Sequence, residues 1–129
     1  MSTPGEVKAR KWILVVDDDP SVRAVISEQL AMAGYAVVQA GDGHVAMQLL
    51  AQLLPHLIVL DLNMPRVSGS EFLTMVAGHP LWRQIPVLIV SGHPMDPPAP
   101  ERVRIAGVLA KPVAFDVLLE KVREALGGG

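Results

Sequence analysis

Five short apolar runs punctuate the chain: Trp12–Val16, Tyr35–Ala40, Leu57–Leu60, Ile85–Val90 and Gly107–Ala110. Runs of this length without polar alternation predict strands covered on both faces, as in a parallel sheet. Between them the apolar residues space out at helical intervals. Val22, Val25, Ile26 and Leu30 predict a helix over Ser21–Ala33, stopped by Gly34. Val45, Ala46, Leu49, Leu50 and Leu53 predict a second, with the stripe Leu49, Leu50, Leu53 in the core. Phe72, Leu73, Met75 and Val76 mark a third, and Phe115, Leu118, Leu119, Val122 and Leu126 the last. Pro94, Pro97, Pro98 and Pro100 crowd the place where one more helix is due. Proline inside a helix costs roughly 3 kcal/mol, so this fourth helix is expected to be shortened or irregular. The alternation predicts an α/β fold, a five-stranded parallel sheet with helices on both faces.

Composition narrows the picture. The 129 residues fit one domain with a real core, and half of them are hydrophobic while only 19% are charged. Met1–Lys11 is polar and reads as a disordered or extended segment, residues 12–126 as the domain, and Gly127–Gly129 as a flexible tail or linker start. A formal net charge of −2 offers no basic surface for direct nucleic acid binding. No apolar run is long enough to cross a membrane, and no signal core is visible. The absence of cysteine removes disulfides and thiolate metal sites and suits a cytoplasmic protein.

The polar residues at the ends of the runs carry the chemistry. Asp17, Asp18 and Asp19 follow the first strand, Asp61 the third, Ser91 the fourth and Lys111 the fifth. In a parallel sheet these ends lie on one edge, which is where ligands bind in open α/β folds. Carboxylates about 5 Å apart repel by roughly 3 kcal/mol at an effective dielectric near 20, so such a cluster recruits a cation or holds a proton. All-oxygen donors favour a hard ion such as Mg²⁺, which commonly bridges carboxylates to phosphate oxygens. With the hydroxyl of Ser91 and the ammonium of Lys111, a phosphoryl pocket is complete on paper. The run Asp17-Asp18-Asp19 before Pro20 also has the plainer reading of a solvated helix cap.

Four segments in this order, Ile13–Pro20, Leu57–Pro65, Val90–Gly92 and Lys111–Pro112, resemble the receiver domain of the response regulators of bacterial two-component systems, from about Trp12 to Leu126. The resemblance implies a flavodoxin-like (βα)5 fold with strand order 2-1-3-4-5. It implies that Asp61 is a phosphoacceptor, charged by a sensor histidine kinase or histidine phosphotransfer protein, and that the module assists only its own phosphotransfer and is not otherwise an enzyme. It implies Mg²⁺ held by Asp18, Asp61 and the backbone carbonyl of Asn63, with Asp17 acting through water. Ser91 and Lys111 would bind the phosphoryl group, across a cis Lys111–Pro112 bond. Asn63, Gly92 and His93 occupy the positions that tune dephosphorylation. A downstream effector protein or domain is the implied partner, and a homodimer stays open.

Two departures stand out. The aromatic that relatives carry three residues before the lysine is Val108 here, and Lys111 follows Ser91 by only 20 residues. The expectation is therefore signalling without the aromatic switch, through ordering of the proline-rich loop. The rival readings are a receiver-like interaction domain that works without phosphate and a small Mg²⁺-dependent phosphatase with an aspartate nucleophile. The second is disfavoured because Asn63 stands where such enzymes carry a second Asp as acid/base. A nucleotide-binding domain lacks its Gly-rich loop after the first strand.

Overall fold

A computed structural model describes residues 10–62, 69–92 and 102–127. The elements run β1 (Trp12–Val16), α1 (Pro20–Met32), β2 (Ala36–Ala40), α2 (Gly43–Leu50), β3 (Leu57–Leu60), α3 (Gly69–Ala77), a 3-10 turn (Trp82–Gln84), β4 (Pro86–Ser91), β5 (Arg104–Ala110) and α4 (Phe115–Ala125). The five strands form one sheet in the order β2-β1-β3-β4-β5, every pair parallel. This is the predicted order. The proline-rich region of the expected fourth helix lies outside the described residues.

The three central strands alternate between two apolar clusters. Leu14, Val16, Ile58, Leu60, Val87 and Ile89 pack on one face with Ala46 and Leu50 of α2 and Phe72, Leu73 and Val76 of α3. Ile13, Val15, Leu57, Val59, Leu88 and Val90 pack on the other with Ile26 and Leu30 of α1 and Leu118 and Val122 of α4. Both faces are thus covered, which is why these strands read as unbroken apolar runs. Each such side chain contributes about 1.5–3 kcal/mol by leaving water.

The helix starts follow local chemistry. Asp19 caps α1, its carboxylate accepting from the backbone N–H of Ser21 at 2.9 Å and Val22 at 3.2 Å, with Pro20 at the first helical position. Asp42 caps α2 in the same way, accepting from Val45 N–H at 2.8 Å. Gly34 ends α1 with φ of +103°, a value that favours glycine.

Three expectations need correction. The second helix ends at Leu50, so Leu53 falls past it and is 54% exposed rather than core. Trp82, whose polar, proline-flanked surroundings in the chain predict a surface aromatic, instead packs half-buried against the α2/α3 cluster and stacks on the His79 ring at 4.1 Å. The fifth strand is longer than Gly107–Ala110, beginning at Arg104. A β-bulge hid its first half. Val87 pairs with Ile105 but Leu88 with Gly107, leaving Ala106 as the extra residue. Ile105 and Leu109, four apart, should share a face in a regular strand, yet Ile105 joins the α2/α3 cluster and Leu109 the α1/α4 cluster.

Candidate functional site

The site lies at the carboxyl edge of the sheet, where β1, β3, β4 and β5 end. Asp17 follows β1 and Asp61 follows β3; both are buried, at 2% and 4% exposure. The strands stay in step past their ends, since Asp61 N–H donates to Val16 O at 2.9 Å and Asp17 N–H to Ala40 O at 3.2 Å. Carboxylate oxygens of Asp17, Asp18 and Asp61 all lie within 4.8 Å of one another, with Asp18 exposed to solvent.

Lys111 reaches into this group from the end of β5. Its Nζ donates to Asp17 Oδ2 at 3.1 Å and stands 3.4 Å from Asp61 Oδ2. Its backbone N–H donates to Ser91 O at 2.9 Å, fixing it beside the buried Ser91 at the end of β4. The Lys111–Pro112 bond is cis. Burial alone would lower the Lys111 ammonium, but the hydrogen bond and charge of Asp17, with the charge of Asp61 behind them, outweigh it. The pKa is raised above its usual 10.5.

Asp17 is held at every polar atom. Besides the bonds above, its Oδ1 accepts from Asp19 N–H at 2.9 Å and its carbonyl from Arg23 Nη1 at 2.7 Å. Asp18 is the opposite, with nothing bonded to its carboxylate among the described residues. Three carboxylates against one ammonium leave the group short of positive charge. An open, oxygen-only face of that kind fits a hard divalent ion.

Of the residues singled out by the sequence, Asp17, Asp18, Asp61, Ser91 and Lys111 share this edge. Gly92 follows Ser91, and a Cβ there would meet nothing within 4 Å, so the approach at that point is open. Val108 pairs with Ile89 on the edge strand and is 50% exposed. Asn63 and His93 lie outside the described residues.

Two contributors escaped the sequence reading. Gly69 starts α3 with its N–H on Leu62 O at 3.1 Å, and a Cβ there would overlap Leu62 Cα and come within 2.8 Å of Asp61 O. Its signal was only a glycine after a turn. Arg23 spans from α1 to the end of β1; nothing distinguished it from any other arginine on a helix.

The chain belongs to the response regulator receiver domain family, whose model matches residues 13–123. It is 36% identical over 116 residues to the DNA-binding dual master transcriptional regulator RpaA of Synechocystis, covering 88% of this chain and 48% of that protein. The chain thus spans about half that relative's length. Among solved structures it resembles the chemotaxis response regulator CheY4 of Vibrio cholerae, with a TM-score of 0.83 and 29% identity over 92% of this chain and all of that one. It also resembles the response regulator TrrA of Thermotoga maritima, solved in complex with Mg²⁺-BeF, with a TM-score of 0.79 and 27% identity over 90% of this chain and 99% of that one. The family assignment and strand order agree with the sequence reading. Among the described residues no helix is long and apolar enough to cross a membrane.

Proposed function

We propose that Asp61 is the phosphoacceptor of this receiver domain. A carboxylate oxygen of Asp61 attacks the phosphorus of a phosphohistidine on a sensor kinase or phosphotransfer protein, the P–N bond breaks, and the imidazole leaves. The product is an acyl phosphate on Asp61. The observation that carries the reading is the convergence of Asp17, Asp18 and Asp61 within 4.8 Å, with Lys111 bridging two of them. Phosphoryl transfer asks for positioning and charge neutralisation more than for covalent chemistry, and these residues provide both.

Asp18 and Asp61, with the Asn63 carbonyl, are the residues that would hold Mg²⁺, and Asp17 would hold its water. Bound there, the ion supplies neutralising charge for the phosphoryl oxygens. Ser91 donates its hydroxyl to the incoming group, and Lys111 moves from carboxylates to phosphoryl oxygen. Asn63, Gly92 and His93 set how readily water reaches the acyl phosphate. The new group adds about −1.5 to −2 charges at this edge, enough to bias a two-state surface towards an effector. With Val108 in place of an aromatic, that bias does not use the aromatic switch in this cytoplasmic protein.

Titration with beryllofluoride, a phosphoryl mimic, in Mg²⁺ tests this. Saturable amide shifts around Asp17, Asp61, Ser91 and Lys111, lost in Asp61→Asn, are expected. A wild-type protein that gives no response would move the assignment to an interaction domain working without phosphate.

A further inference from the structure

We propose that Arg23 is a positioning residue for the carboxylate of Asp18, a role that rests on the cation site just described. Asp17 is anchored at its N–H, its carbonyl and both carboxylate oxygens. Asp18 projects towards solvent with no partner of its own among the described residues, so the backbone that carries it decides where its oxygens stand. The peptide joining Asp17 to Asp18 is planar, and its oxygen is the atom that Arg23 Nη1 holds at 2.7 Å. Fixing that oxygen fixes the tilt of the plane, and with it the direction in which Asp18 leaves the chain.

The guanidinium is itself located twice more. Its Nε donates to Gln39 Oε1 on β2 at 3.1 Å. It lies against Gly41, where a Cβ would touch Nη1 at 3.4 Å. One side chain therefore ties α1 to the ends of β1 and β2. A planar fork with separated donors can hold both acceptors, whereas a lysine ammonium supplies the charge from a single point.

Charge and geometry pull in opposite directions here. A positive group close to the carboxylates opposes a bound cation by simple repulsion. If Arg23 acted only through charge, its removal would tighten cation binding. If it acts by aiming Asp18, removal weakens binding despite the lost repulsion.

Mg²⁺ titration of the full chain, read by calorimetry and by amide shifts of Asp17, Asp18 and Asp19, separates the two. Wild type, Arg23→Ala, Arg23→Lys and Gln39→Ala are compared below their unfolding temperatures. Saturable binding by wild type is expected; its absence would overturn the site reading and this role with it. With wild-type binding in hand, Arg23→Ala is expected to weaken Mg²⁺ by about 10-fold, as when a group that orients a metal ligand is lost. Arg23→Lys should recover part of the loss, and Gln39→Ala should weaken binding less than Arg23→Ala. Equal or tighter binding by a folded Arg23→Ala overturns the proposal. Should that variant not fold, unchanged affinity in both Arg23→Lys and Gln39→Ala overturns it instead.

Discussion

β3 and β5 deliver the two ends of one ion pair, Asp61 and Lys111, yet they are built on opposite plans. β3 is buried at every residue, sits between β1 and β4, and hands Asp61 to the site as the next residue in line. β5 is an edge strand that alternates exposed and half-buried, and a bulge at Ala106 turns its second half over before Lys111. The carboxylate is placed by the core. The lysine is placed by a local irregularity and by its backbone bond to Ser91. Such a difference teaches where each residue tolerates change: the base of the site is set by packing, the rim by hydrogen bonds and charge.

The largest test of this contrast is truncation within the two strands. Ile58→Ala, fully buried on β3, should cost about 2–5 kcal/mol in denaturant unfolding. Val108→Ala, half-exposed on β5, should cost less than about 1 kcal/mol. Comparable losses would show that the edge strand is as tightly packed as the centre.

A step down in size, Gly69→Ala pushes a methyl group into the backbone leaving β3. It should destabilise by about 1–3 kcal/mol and weaken the beryllofluoride response, because Asp61 O and Leu62 Cα must shift. Gly92→Ala, at the open exit of β4, serves as the control with little change in stability.

A smaller loss than that of Gly69→Ala belongs to the charged rim. Lys111→Met should lower stability by about 1–2 kcal/mol, less than the roughly 3–5 kcal/mol of a fully buried pair, since the lysine side chain keeps 25% of its exposure. The raised pKa sets the sign with pH. The wild-type contribution is fully present below 10.5 and is lost as pH rises through the higher folded value. Unfolding curves of wild type and Lys111→Met should therefore run parallel through neutral pH and converge only above 10.5. Convergence near neutrality would break the assignment of Lys111 as a charged partner.

Much of the site was legible in the chain because chemistry and periodicity coincide there. Unbroken apolar runs ended in Asp17, Asp61 and Ser91, and a parallel sheet brings such ends to one edge. Local rules also separated the three consecutive aspartates once the helix was seen: Asp19 is a cap, while Asp17 and Asp18 go to the site. The apolar run stopped short at β5, where a register shift carries the strand back to Arg104 and leaves Arg104–Ala106 outside the run. Periodicity failed at Leu53, where the helical spacing continued on paper after the helix had ended.

By itself, then, the sequence determined the order of elements, their caps, and the identity of the residues at the strand ends, all of which depend on neighbours a few positions away. Only the tertiary structure decided the pairings. Arg23 meets Gln39 16 residues on, and Lys111 meets Asp17 across 94 residues. Contacts of that kind follow from strand register and helix docking, where many weak packing terms act together and no single local preference carries the answer.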